Sequence, residues 1–293
     1  MRNRIKLLLG VILAIITVAA VIFTISRLQP AQAASKPIDI AEIKEVDGML
    51  QICEGVFAVY DDSYKVNVAL IVSGKEAAIV DTGYAERNIE CVKEYIDNNS
   101  LKLKSIFITH HHFDHIEKLS YFKTDDTEVY DYKNTENGQI IKLGKNKLKI
   151  VDTFGHNKDQ HISIEIMDKH ILIAGDVLSS NEPPIISAGK WLDVYKSTLN
   201  MIKGDDYALI IPGHGHIEEP EAMVNKQLEY LDNLEKKITE MLKNNADKKE
   251  VLSITFEDCM PNMEKLDMDQ CTVIHKNNLN VLYKYFVLQK SNS

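Results

Sequence analysis

The segment Thr109-His110-His111-His112-Phe113-Asp114-His115 gathers four imidazoles and one carboxylate into seven residues. A borderline cation such as zinc takes imidazole nitrogen and carboxylate oxygen, and needs several of them converging on one point. At the end of an extended strand, positions i and i+2 project to the same side, so His110 and His112 can chelate together. Asp114 and His115 lie past the bend and can face a second point nearby. The spacing is not the i, i+4 pair of a helical zinc site; it predicts a loop that follows a strand. A solvated His-rich loop that binds metal only adventitiously is the bland alternative. Three more segments weigh against it. Gly155-His156, Ala174-Gly175-Asp176 and Pro212-Gly213-His214-Gly215 each place one potential ligand after an apolar strand or in the turn between two.

The elements that must position these residues follow from short apolar runs. Met49 to Cys53, Val56 to Tyr60, Val66 to Val72 and Ala77 to Val80 are broken by Gly55, Asp61-Asp62-Ser63 and Ser73-Gly74, the signature of consecutive strands. After Asp81-Thr82-Gly83, the residues Ile89, Val92, Tyr95 and Ile96 recur at helical spacing. Ile106 to Ile108 predicts a strand entering the His-rich loop, and Ile116, Leu119 and Phe122 a short helix. A second strand set is expected at Glu128 to Tyr130, Gln139 to Ile141, Leu148 to Val151, His161 to Ile166 and Ile171 to Ala174. Helices are expected over Trp191 to Ile202, Glu219 to Asn244 and Asn277 to Leu288, with a last strand at Tyr207 to Ile211. Strands then helix, twice over, is the pattern of two βα halves, compatible with a four-layer sandwich or with two α+β domains.

Of the 293 residues, 1–33 hold Arg2, Arg4, Lys6 and Arg27 and no acid; the rest carries 30 basic and 43 acidic residues, a net charge of −13. Such a body repels phosphate backbones, so a small-molecule substrate is expected and nucleic acid is not. A basic start followed by a predominantly apolar run of 19 residues, Leu7 to Ile25, reads as a signal peptide or an N-terminal membrane anchor, with Ala31-Gln32-Ala33 as a peptidase site. Either case places the rest outside the cytoplasm, secreted or anchored by residues 7–25. The organisation expected is 1–33 for targeting, 34–45 as a lead-in and 46–293 as one catalytic domain with a C-terminal helical portion. Four cysteines are too few for a disulfide scaffold; Cys259 and Cys271 are the pair closest in sequence.

In order and type, the four ligand segments resemble the metallo-β-lactamase-fold superfamily: HxHxDH, a lone His, a lone Asp and a final His. The likeness runs from about Val46 to Tyr230. It implies an αββα sandwich of α/β class with the site at the edge between its sheets. It implies one metal on His110, His112 and His156, another on Asp114, His115 and His214, and Asp176 bridging both. Asp114 and Asp176 are then the catalytic carboxylates, and Asp81 supports a ligand His from behind. The cofactor implied is two divalent ions, zinc first, with iron and manganese open. Two ions sharing a hydroxide would hydrolyse an ester, thioester, lactone or related small substrate. Asp176 stands where true β-lactamases of the fold carry Cys or Ser, so the glyoxalase II and lactonase branch is favoured; the Tyr of lactonases is missing from Val177-Leu178-Ser179-Ser180. The alternatives are a β-lactamase, a mononuclear iron enzyme resembling persulfide dioxygenases, and a metal-bound sensor without turnover. His111 is expected to point away, His216 to sit in a surface loop, and His161, His170 and His275 to be ordinary strand or helix-surface residues. Tyr84, Asn181, Glu182 and Trp191 fall where substrate loops occur in the family, although Trp191 reads better as helix core; Lys158 in the Asn157 to Gln160 turn could steer an anion.

Overall fold

Val68-Ala69-Leu70-Ile71 shows no alternation of polar and apolar residues, because the strand it forms is covered on both faces. Ala69 and Ile71 meet the interior between two sheets, while Val68 and Leu70 meet a helix on the outside. Ile171-Leu172-Ile173-Ala174 repeats the device: Ile171 and Ile173 face inward, Leu172 and Ala174 face a second helical layer. Two strands buried on both faces demand four layers.

The computed structural model has this architecture; it describes residues 37–60, 65–156, 161–180, 182–260 and 268–292, without the side chains of 86–88 and 290–292. The first sheet is formed by β1 (Lys44–Val46), β2 (Met49–Cys53), β3 (Val56–Tyr60), β4 (Asn67–Ser73), β5 (Glu76–Val80), β6 (Lys102–Phe107) and β7 (Glu128–Tyr130), in chain order. α1 (Glu86–Asn98) crosses from β5 to β6, and the short α2 (Phe113–Ile116) and α3 (Leu119–Phe122) lie between β6 and β7. The second sheet holds β8 (Ile140–Leu143), β9 (Asn146–Thr153), β10 (His161–Ile166), β11 (Ile171–Ser179) and β12 (Leu209–His214), ordered β12-β11-β10-β9-β8. α4 (Leu192–Gly204) joins β11 to β12; α5 (Pro220–Lys243), α6 (Lys248–Val251), α7 (Phe256–Cys259) and α8 (Met268–Asn292) follow. The inter-sheet layer contains Val56, Val80, Phe107, Leu148, Ile164 and Ile211; α1 covers the first sheet, and α4, α5 and α8 cover the second.

Three expectations change. β7 belongs to the first sheet, pairing in parallel with β6. The last helix begins at Met268, nine residues before the expected start, because His275 and Asn278 are buried polar residues that blur its apolar stripe. His275 is thus not a surface residue: its ring nitrogens meet the Tyr230 hydroxyl at 3.0 Å and the Ile254 carbonyl at 3.1 Å. None of the four cysteines forms a disulfide among the described residues, and Cys259 and Cys271 are buried. The expected targeting segment, the Asp61 to Ser63 turn, the Asn157 to Gln160 turn and Asn181 lie outside the described residues. Among the described residues no helix is long and apolar enough to cross a membrane.

The sheets are stitched together at one edge. Asn67, buried at the start of β4, donates its amide to the carbonyls of Pro212 (3.0 Å) and Gly215 (2.8 Å) around the end of β12. Val66 bridges His214, and the Ile162 amide of β10 donates to the Thr109 carbonyl beyond β6 at 3.0 Å. Replacing Asn67 by Leu leaves two buried carbonyls without that donor. We expect a loss of roughly 2–4 kcal/mol in unfolding free energy, measured by urea titration; a loss below about 0.5 kcal/mol would show that the edge is held otherwise.

Candidate metal centre

All four ligand segments meet at that stitched edge. His110 and His112 come from the extended chain just past β6, Asp114 and His115 from α2, His156 from the connection after β9, Asp176 from within β11, and His214 from the last position of β12. Two sets of ligand atoms result, His110, His112, His156 and Asp176 in one and Asp114, His115 and His214 in the other, each within 4.8 Å of its fellows. All seven except His112 are buried.

Asp176 stands between the sets with one oxygen toward each. Its Oδ2 lies 3.3 Å from His156 Nε2 and 3.6 Å from His110 Nε2. Its Oδ1 lies 3.0 Å from His115 Nε2 and 3.2 Å from His214 Nε2. His112 enters through Nδ1, 3.3 Å from His156 Nε2, and Asp114 Oδ2 is 3.4 Å from His214 Nε2. The backbone makes room for this carboxylate. At Gly213 a Cβ would come 2.1 Å from Asp176 Oδ1, and at Gly175, where φ is +59°, it would come 2.7 Å from His161 Nε2. Only glycine fits either place.

Asp81 organises the imidazoles from behind. It occupies the left-handed region, φ +59°, which Asp tolerates better than most residues. Its Oδ1 accepts from the Thr109 amide at 2.8 Å; its Oδ2 accepts from the Thr109 hydroxyl at 2.8 Å and from His115 Nδ1 at 2.7 Å. Because the Thr109 proton goes to Asp81, its oxygen is left to accept from His110 Nδ1, 3.1 Å away. One carboxylate therefore sets the tautomer of a histidine in each set, turning both Nε2 atoms to the centre. The hydroxyl relay through Thr109 is invisible in a ligand pattern. The clue in the sequence was only a Thr directly before the first His.

The donor set fits divalent metal. His110 Nε2 is a buried atom without a hydrogen-bond partner, and the remaining donor atoms crowd around Asp176, an arrangement that a cation among them would satisfy. The electrostatics agree. Burial pushes His110 well below the usual histidine value, and its neighbour His115 adds to this. Burial lowers His156 to about 4 despite Asp176. Burial would also lower His115 and His214, but Asp176 overrides it, holding His115 well above its ordinary value with help from Asp81 and raising His214 to about 9. Burial works to raise Asp176, yet the surrounding histidines keep it well below the carboxylate range.

Of the remaining candidates, His111 turns away as expected, its Nε2 2.8 Å from Asp131, and His216 is exposed, stacked on Tyr60. His170 is partly buried, with its Nε2 donating to the Asp205 carbonyl. His161 corrects the expectation. It is buried, stacked against His110 with centroids 5.0 Å apart, and burial lowers it to about 3. Its Nδ1 lies 2.7 Å from the Thr153 hydroxyl. A strand without alternation hid it, since His161 to Ile166 is buried throughout. Tyr84 and Phe113 form an exposed edge-to-face pair. Glu182 is buried, and Trp191 is half-buried ahead of α4 rather than in its core.

Two outcomes follow. Asp81→Asn exchanges an acceptor for an amide and should weaken metal affinity about 10–100-fold, read by competition with a chromophoric chelator; unchanged affinity would refute the orienting role. In the metal-free protein the raised His115 and His214 carry protons at pH 7, and metal must displace them. Binding should release on the order of two protons at pH 7 and tighten as pH rises toward 9. Calorimetry in buffers of different ionisation enthalpy checks this, and an absence of release would contradict it.

Comparison with known proteins bears on the same residues. The sequence profile of the metallo-beta-lactamase superfamily matches residues 62–125. An atrochrysone carboxyl ACP thioesterase from Paecilomyces divaricatus is 25% identical over 162 residues, 52% of this chain and 50% of that protein. A hydroxyacylglutathione hydrolase from Prochlorococcus marinus is 30% identical over 128 residues, 39% of this chain and 51% of the relative. The chain thus spans about half the length of the curated relatives it matches. A beta-lactamase domain protein from Burkholderia ambifaria superposes with a TM-score of 0.62 at 16% identity, covering 86% of this chain and 92% of the other, a likeness of fold. The chain is thus similar to the metallo-β-lactamase superfamily in sequence over residues 62–125 and in overall fold.

Proposed function

We propose that the protein is a dinuclear metal-dependent hydrolase of esters, thioesters or lactones, exported or anchored outside the cytoplasm. The observation that carries this is the division of Asp176, with Oδ2 toward His110 and His156 and Oδ1 toward His115 and His214. A single-metal oxidoreductase would need only one set, whereas Asp114, His115 and His214 make a second buried group. His110, His112 and His156 would hold one ion, Asp114, His115 and His214 the other, and Asp176 both. When bound, such a pair acidifies water to give a nucleophile at neutral pH and polarises the carbonyl under attack. The residues supply the rest. Asp81 and Thr109 fix the imidazoles, and Asp114, at the edge of its set, is placed to accept and return the proton moved during attack and departure. Relatives named as a thioesterase and a hydroxyacylglutathione hydrolase support the thioester class.

Purified protein should contain two divalent ions per chain and hydrolyse thioesters or esters faster than phosphodiesters and β-lactams in one panel at matched zinc. His112→Ala and Asp176→Ala should each lose metal and turnover while remaining folded by circular dichroism. One iron per chain with oxygen uptake, or turnover retained in both variants, would sink this reading.

A further inference from the structure

His161 opens β10 and is only 1% exposed, yet neither ligand set includes it. Its ring stacks on His110 and stands 6.4 Å from the His156 ring, centroid to centroid, at a steep angle of 69°. The backbone holds it there. The Ile162 amide donates to the Thr109 carbonyl, and glycine at position 175 admits the imidazole edge just before Asp176.

Two hydroxyls decide where the His161 proton lies. The Ser163 hydroxyl donates to the Ala174 carbonyl at 2.7 Å, which leaves its oxygen to accept. The Thr153 hydroxyl, 3.1 Å away, donates to that oxygen. With its own proton spent there, Thr153 accepts from His161 Nδ1 at 2.7 Å. The opposite order, Thr153 donating to Nδ1, leaves two hydroxyl oxygens facing each other with no proton between them. Burial keeps the ring neutral, so Nε2 carries a lone pair. That atom is buried and lacks a hydrogen-bond partner.

His156 shows the complementary want. Its Nε2 lies 3.3 Å from Asp176 Oδ2 and 3.3 Å from His112 Nδ1, among the first ligand set. When that nitrogen faces an ion, the ring proton sits on Nδ1, and His156 Nδ1 is also buried without a partner. Metal-bound histidines almost always donate this second proton. His110 has the Thr109 oxygen for it and His115 has Asp81. A donor without an acceptor and an acceptor without a donor thus stand buried on neighbouring rings, a costly state for each. A direct N–H···N bond places ring centroids about 5.3 Å apart; at 6.4 Å one bridging water spans the difference. Resting on the metal-binding reading of this centre, we propose that His161 is a positioning residue for His156, its Nε2 lone pair taking up, through one buried water, the proton on His156 Nδ1.

The test compares His161→Gln, whose Oε1 reaches the place of Nε2, with His161→Asn, which keeps only the contact to Thr153. In zinc-loaded wild-type protein, long-range 1H–15N spectra should show both His161 and His156 protonated at Nδ1. His161→Asn should lower zinc affinity about tenfold, read by chelator competition, and speed solvent exchange of the His156 Nδ1 proton about tenfold. His161→Gln should stay within about threefold of wild type in both measurements. Variants that melt lower yet bind zinc and exchange alike mark a merely structural residue and overturn the inference. So does wild-type His161 protonated at Nε2, a result that needs no variant to fold. None of these readings uses turnover, so a failed hydrolase assignment leaves them standing. Protein that binds no zinc fails the metal reading instead. The metal-free spectrum then decides: His161 with its proton on Nδ1 and a hydrogen-bonded Nε2 upholds the acceptor, and a proton on Nε2 removes it.

Discussion

The centre depends on one buried carboxylate that touches no expected metal position. Asp81 spends both oxygens on Thr109 and His115, and through the Thr109 hydroxyl it also governs His110. An imidazole offers a lone pair to a cation only when its other nitrogen carries the proton. A single anion thus makes two histidines, one in each set, point the same chemical face to the centre. That anion sits at the end of β5 because Val80 is the last residue of a strand buried from Ala77 onward and Asp81 takes the left-handed turn that ends it.

Clustering four buried imidazoles around one carboxylate is unfavourable for the bare protein. Desolvation drives His110 and His156 toward neutrality, while Asp176 pulls protons onto His115 and His214. The outcome is a centre with opposing protonation tendencies, which a fold tolerates only where its surroundings overdetermine the geometry. Asn67, the Val66 bridge and the Thr109 carbonyl provide that determination by tying the two sheets at this edge.

Much of this was legible in the sequence because metal ligation needs rare residue types in fixed order. His110, His112, Asp114, His115, His156, Asp176 and His214 all converge, and β2 to β5 lie within a residue of their predicted limits, while β6 begins four residues earlier than expected and β1 falls where a polar lead-in was expected. What escaped has a common cause. Thr109, Asn67, His161 and Asn278 act through buried polar contacts between distant segments, and neither periodicity nor composition encodes such partners. His161 lies in a strand buried on both faces, where polar residues no longer mark an outer side. Asn278 and His275 broke the apolar stripe of α8 and concealed its first two turns, although they are the residues that fasten it.

Each ligand set draws on both sheets. His110 and His112 follow the first sheet and face His156 and Asp176 from the second, while Asp114 and His115 face His214. Neither half of the chain can therefore hold an ion alone, and the last ligand, His214, arrives only with β12. Assembly order is thereby dictated: the sandwich must close before either ligand set is complete. An unfolded or half-folded chain therefore offers a cation no complete nest, so metal can be gathered only once both sheets have met.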